Sequence, residues 1–337
     1  MSTIKDVAKK TGLSLSTISK YLNGGHVREE NRQAIEQAVA ELDYSVNYFA
    51  RSLKSARSRT VGILLPTISS PFFGRVVAAM DPVFQQAGYE SVVCSYNFNR
   101  ELELQKLEFL AHKHVDGLIY VPESATMDEI AARVSGTPLI MLDRTVPGAS
   151  CDRIVVDNLN AVYMAVEHLI GRGHRRIGLI CGPMRISTAL ERATGYRRVL
   201  ADYSLPVDES LIRSGNYDVE SGYRLFGELL DLPDPPTALC VTSYDMTIGA
   251  ITAAHERGVA LPADVDFIGY DNIDLCSVVN PPLEIIEQPM EAMGAEAAKL
   301  ILARVSGDDS PSRLLRLKAK IAKQGAAPIR KTPAARP

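Results

Sequence analysis

Long apolar runs are missing from this 337-residue chain: no stretch approaches the roughly 20 residues that cross a bilayer. The start, Met1-Ser-Thr-Ile-Lys-Asp6, runs into charge and not into the apolar segment of a secretory signal. Cysteine is sparse. Cys94, Cys151, Cys181, Cys240 and Cys276 are scattered, odd in number and without a CxxC pair, a pattern of reduced cytosolic thiols and not of a disulfide framework. Cys94, Cys181 and Cys240 stand in apolar runs and read as packing residues. There is no P-loop, no G-x-G-x-x-G after a strand pattern and no G-x-S-x-G elbow. His112 and His114, two apart on an expected helix, face different directions and make a poor metal pair. His174-Arg175-Arg176 reads as a helix end. These absences argue against an enzyme, a cofactor or a metal, and for a cytoplasmic binding protein.

What is present is unevenly charged. The formal charge is −3, yet residues 1–59 hold ten Lys/Arg against six Asp/Glu, and residues 310–337 hold eight Lys/Arg and no acid. The stretch between them is strongly acidic. A small basic head on an acidic body fits a head that meets phosphate and a body that does not, although a solvated basic face would give the same count.

The head carries helix punctuation. Thr3 and Asp6 have the spacing of a capping box, and Ile4, Val7 and Ala8 fall on one face. Gly12 stops that helix, Ser14 caps a second over Leu15–Leu22, and Ile18 and Leu22 are its buried side. A third helix, about 29–42, buries Ile35, Ala38, Val39 and Leu42. Two short helices across a glycine turn make a helix-turn-helix, whose second helix suits the major groove; a generic three-helix bundle would show the same periodicity.

The wording of the head is more specific than its periodicity. "TIKDVAKKTGLSLSTISKYLNG" and "AIEQAVAELDYSVNYFARSLKS" resemble the headpiece of the lac and purine repressor family over residues 3–54. The resemblance implies base-reading positions at Leu15, Ser16 and Lys20, with Thr17, Asn23, His26 and Asn47 near phosphate. It also implies a hinge helix over 47–54 that folds on DNA beside the same segment of a second subunit, with Leu53 wedged into the minor groove. Arg28 departs from the family, which has a small capping residue there; a phosphate contact is an alternative role for it.

From Thr60 the pattern becomes α/β. Strands are expected at 61–65, 90–94, 117–121, 138–142, 177–181, 238–242 and 266–270. Helices are expected near 72–87, 100–113, 127–134, 159–171, 188–201, 219–230 and 245–257. Two such sets mean two parallel-sheet subdomains with ligand at the carboxyl ends of the strands. "MLDR", "VVDN", "HLIGRGHRRIGLICGP", "ERATGYRRVL", "SGNYDVESGY" and "VDFIGYDN" resemble the core of the same family, which is like a periplasmic sugar-binding protein.

The expected organisation is an all-α helix-turn-helix headpiece at 1–46, a hinge helix and linker at 47–59, and a periplasmic-binding-protein-like core at 60–325. Within that core, 60–157 and 289–315 form one subdomain and 158–288 and 316–325 the other, with crossings near 157–159, 287–290 and 315–318. A disordered tail is expected at 326–337. The resemblance implies effector contacts at Arg192 and Asp271, joined by Asp143, Arg144, Thr188 and Tyr217, with Phe72 and Phe73 able to stack on a ring. Tyr244, in Thr242-Ser-Tyr-Asp245, departs from the family and bears on the cleft's shape. The expected partners are a near-palindromic double-stranded DNA operator, a sugar or sugar acid, and a second copy of the chain in a homodimer or tetramer. A purine corepressor is the alternative effector, and a solute-binding protein without a DNA role is the distant alternative.

Overall fold

The computed structural model describes residues 2–22, 25–44, 57–271 and 281–323. The chain divides into two compact units, 1–59 and 60–337.

The first unit holds three helices: α1 (Ile4–Thr11), α2 (Leu15–Leu22) and α3 (Glu29–Glu41). The Asp6 carboxylate closes the start of α1 by accepting from the Thr3 N–H at 2.8 Å. Gly12, at φ 67°, takes the left-handed conformation that lets the chain turn sharply into α2. Ser14 Oγ accepts from the Thr17 N–H at 3.2 Å and so caps α2. Val7, Ile18, Ile35 and Ala38 form the buried centre, with Ile4, Ala8, Leu22, Val39 and Leu42 packed around it. Tyr21 donates to Glu36 at 2.5 Å, and a Lys10–Glu41 ion pair ties α1 to α3.

The second unit is the expected pair of α/β subdomains. In the first, strands β1 (Thr60–Leu65), β2 (Glu90–Ser95), β3 (Gly117–Tyr120), β4 (Leu139–Leu142) and β5 (Asp152–Val156) are joined by β11 (Leu314–Leu317). They lie in the order β11-β5-β4-β3-β1-β2, all parallel. Helices α4 (Pro71–Ala87), α5 (Arg100–His112) and α6 (Met127–Val134) connect them. In the second, β6 (Ile177–Cys181), β7 (Ile212–Ser214), β8 (Ala238–Val241), β9 (Asp266–Tyr270), β10 (Glu284–Glu287) and β12 (Lys320–Lys323) lie in the order β12-β10-β9-β8-β6-β7. Its helices are α7 (Asn158–Gly171), α8 (Ser187–Asp202), α9 (Val219–Leu230) and α10 (Tyr244–Glu256). Helix α11 (Met290–Val305) returns to pack on the first sheet.

The second sheet departs from a purely parallel expectation. β12 runs antiparallel to β10. Only Lys318 and Ala319 separate it from β11, which ends at the cleft side of the first sheet. The chain has no length for a crossover and must enter the second sheet from that same side. Strands β5, β7, β10 and β11 and helix α11 were not among the elements expected from sequence. The first residues of β5 and β10 are charged and so mask the apolar runs behind them. Asp152 is buried against Arg304 Nε at 2.6 Å, and Glu284 against Arg172 Nη2 at 2.7 Å. Helices α9 and α10 approach backbone to backbone. A Cβ on Gly222 would lie 2.3 Å from the Met246 carbonyl oxygen, and one on Gly249 would lie 2.0 Å from that of Val219.

Candidate functional site: the α2 face and the cleft between the sheets

On the first unit, Ile18 turns inward while Leu15, Ser16 and Lys20 of the same helix stay exposed and Thr17 is half-buried. Ser16, Thr17 and Lys20 face His26, Val27, Arg28 and Asn31 across one shallow groove. Arg28 and Asn31 thereby join the face on which the sequence placed DNA contacts. Arg28 precedes α3 without giving it a side-chain cap, which leaves its cation on that face. Asn31 was not foreseen, because it lies on the third helix and only the fold brings it round. Asn23, Asn47 and Leu53, with the hinge segment 47–54, lie outside the described residues, as does the tail at 326–337.

On the second unit, the eight sequence-nominated effector residues line one cleft. Phe72, Phe73, Asp143, Arg144, Thr188, Arg192, Tyr217 and Asp271 meet there with Thr67, Ser70, Phe98, Ser243, Tyr244, Asp245 and Gln288. They follow the carboxyl ends of strands in both sheets, where the winding of the helices leaves a crevice. Asp143 follows β4 and Asp271 follows β9, at equivalent positions in the two subdomains. Each has a positive φ, 63° and 74°, and each donates its N–H to the next strand over, to Ile154 at 2.8 Å and Ile286 at 2.6 Å. Tyr217 also has a positive φ, 64°. Aspartate tolerates this region better than most residues, whereas a tyrosine held there costs roughly 1 kcal/mol or more, and such residues concentrate at ligand sites.

Arg192, on the second turn of α8, is buried yet held rigidly. Its Nε donates to Asn158 Oδ1 at 2.8 Å and its Nη1 to the Thr242 carbonyl at 2.7 Å, while the guanidinium lies 4.0 Å from the Tyr270 ring centre. These contacts orient the guanidinium toward the cleft. Burial pushes the Asp271 carboxyl up to about 6, against the pull of the Gln288 amide and of Arg192. Burial likewise raises Asp143, with Arg144 and Arg192 pulling it down. Thr188 Oγ1 lies 3.1 Å from the Tyr217 hydroxyl, and Phe72 meets Phe73 edge-on at 5.0 Å. Gln288 donates to Asp271 and keeps its Oε1 buried without a hydrogen-bond partner. Its place just after β10 was the available signal for it, but β10 itself was not read. The unfilled space is about 70 Å³, below the range of roughly 300 Å³ upward for small-molecule pockets. The cleft in this form is therefore nearly filled by its own side chains. The cleft presents donors, acceptors and two aromatic walls to a compact polar ring. Tyr244, the departure noted in the sequence, stands on its wall.

Among the described residues, no helix is long and apolar enough to cross a membrane, and no group of His, Cys, Asp and Glu could hold a metal ion. Residues 3–47 match the bacterial regulatory proteins of the lacI family, and residues 58–324 match the periplasmic binding proteins and sugar binding domain of the LacI family. An HTH-type transcriptional repressor PurR of Actinobacillus pleuropneumoniae serotype 3 is 33% identical over 311 residues, covering 91% of this chain and 92% of its own. The structure of the lac repressor dimer bound to operator and the anti-inducer ONPF matches with a TM-score of 0.86 at 26% identity, covering 96% of this chain and 99% of that one. A CelR–cellobiose complex matches at 0.73 and 27%, covering 97% and 100%. With a helix-turn-helix head and a two-sheet core both accounted for over their length, the chain belongs to the LacI family of bacterial DNA-binding transcriptional regulators.

Proposed function

We propose that the chain is a cytoplasmic repressor. It binds a near-palindromic operator as a homodimer and changes its grip when a sugar or sugar acid occupies the cleft between the core subdomains. Leu15, Ser16 and Lys20 read base edges in this scheme, Thr17, Asn23, His26 and Asn47 lie against phosphate, and Leu53 wedges into the minor groove. The observation that carries the effector assignment is the cleft itself, where Arg192 and Asp271, both buried, offer a fixed donor and an acceptor to a hydroxyl-rich ring. Closing or opening the cleft alters the distance between the two hinges of the dimer. Coupling of about 1–3 kcal/mol gives roughly 5–150-fold control. The effector is bound and released unchanged, without turnover.

A purine corepressor is the second reading. The Phe72–Phe73 pair and the PurR relative favour it. A thermal-shift screen of sugars, sugar acids and purines on the full chain separates the two. Binding to an operator fragment selected from random DNA then tests the coupling. Removing residues 1–59 is expected to abolish operator binding and leave effector binding intact. Arg192→Ala is expected to keep operator binding and erase the effector response. A normal response in that variant refutes the assigned cleft.

A further inference from the structure

Beside the effector cleft lies a larger cavity, about 260 Å³, walled by the loops after β3, β4 and β6. The two voids share Arg144 and flank the first turn of α8: Ser187 faces the outer one and Thr188 the inner one. The charged residues of the outer wall are Glu123, Arg144 and Arg185. Glu123 accepts from Arg144 Nη1 at 3.2 Å and from Arg185 Nη2 at 3.0 Å, so one carboxylate is shared by two guanidiniums, and the exposed Arg185 has no other carboxylate in this wall. Arg144 is 6% exposed and its Nε has no hydrogen-bond partner, the nearest carboxylate oxygen being that of Asp143 at 3.7 Å. Helix α8 begins after Ile186, whose side chain cannot cap it, so its first N–H groups add a further attraction for negative charge. Ser187 is already engaged, its Oγ accepting from the Thr145 N–H at 3.2 Å.

From this geometry we infer that the outer cavity is an anion-recognising extension of the effector site, so that the effector carries a carboxylate or phosphate beyond its hydroxyl-rich ring. The inference rests on the effector reading above but is tested apart from it. Arg185 meets the anion at the mouth, where its side chain is 62% exposed, and Arg144 meets it from within.

The test titrates the full chain and Arg185→Ala with inorganic phosphate by calorimetry at low ionic strength, where exposed charges are least screened. Arg185 is exposed enough that its removal leaves the fold intact, which circular dichroism checks. The expected result is phosphate binding that Arg185→Ala weakens at least 5-fold. No phosphate binding to the unaltered chain overturns the inference, and so does binding that Arg185→Ala leaves unchanged, which marks an adventitious ion only. A second arm compares glucose, gluconate and glucose 6-phosphate, which separates carboxylate from phosphate. The unaltered chain is expected to favour an anionic form over the neutral sugar at least 5-fold, and Arg185→Ala to erase that preference. Neutral sugar that binds without phosphate sinks this inference alone. Phosphate binding that depends on Arg185, with no sugar bound in any form, sinks the sugar reading and leaves the anion site standing.

Discussion

Asp271→Asn isolates the cost of the buried carboxylate opposite Arg192. In the fold this carboxyl is raised to about 6 from 3.8, with burial as the leading cause. Below pH 3.8 the group is protonated in both states and contributes nothing. As pH rises past 3.8 the unfolded chain releases the proton and the folded chain keeps it, so stability falls until the folded group ionises near 6. The gap, at 1.36 kcal/mol per pH unit, amounts to about 3 kcal/mol lost by neutral pH. Asparagine tolerates the positive φ and can accept from the Gln288 amide, so the variant escapes the loss without a new strain. For a unit of this size that gain is worth about 6 °C in Tm at pH 7.5. The assay is thermal unfolding of the ligand-free chain and its variant from pH 5 to 8. The Tm difference is expected to widen from pH 5 to 7 and level off above. A difference that stays constant across pH, or a variant that is less stable throughout, refutes the reasoning.

Three further outcomes follow from other parts of the molecule. Gly249→Ala drives a methyl group into the Val219 carbonyl, so α9 and α10 must separate; a loss of about 1–3 kcal/mol is expected in denaturant unfolding. Glu103→Gln disturbs a fully buried carboxylate that accepts from the Tyr120 hydroxyl, the Ser124 hydroxyl at 2.6 Å and the Glu123 N–H at 2.8 Å. It is expected to cost about 1–3 kcal/mol, with the loop that carries Glu123 gaining faster hydrogen exchange. Lys20→Ala removes an exposed side chain from α2, so Tm is expected to hold while operator affinity falls by about tenfold in a fluorescence-anisotropy titration.

Much of the molecule was legible because local rules and tertiary demand coincide. Gly12 and the Val7, Ile18, Ile35 spacing describe the head before any contact is known. Asp143 and Asp271 were nominated by the family resemblance, and each also stands directly after an apolar strand run. Other residues work only through topology. Asn158 is an unremarkable amide in the sequence, yet it holds Arg192 because α8 packs against α7. Glu123 and Arg185 come from different subdomains and meet only when loops following different strands face each other. The strand opening with Asp152 was missed because its partner, Arg304, stands on a helix 152 residues later.

Lys318 and Ala319 form one of three short links between the subdomains, beside those that follow β5 and β10. β11 neighbours β5 in one sheet, and β12 neighbours β10 in the other, so the three links run together along one border. A single tether would leave two bodies free to slide, twist and tilt. Three parallel ones remove all but rotation about their common line. Whatever free energy a guest releases deep between the halves is thus channelled into a change of one angle, and little is dissipated in motions that carry no message.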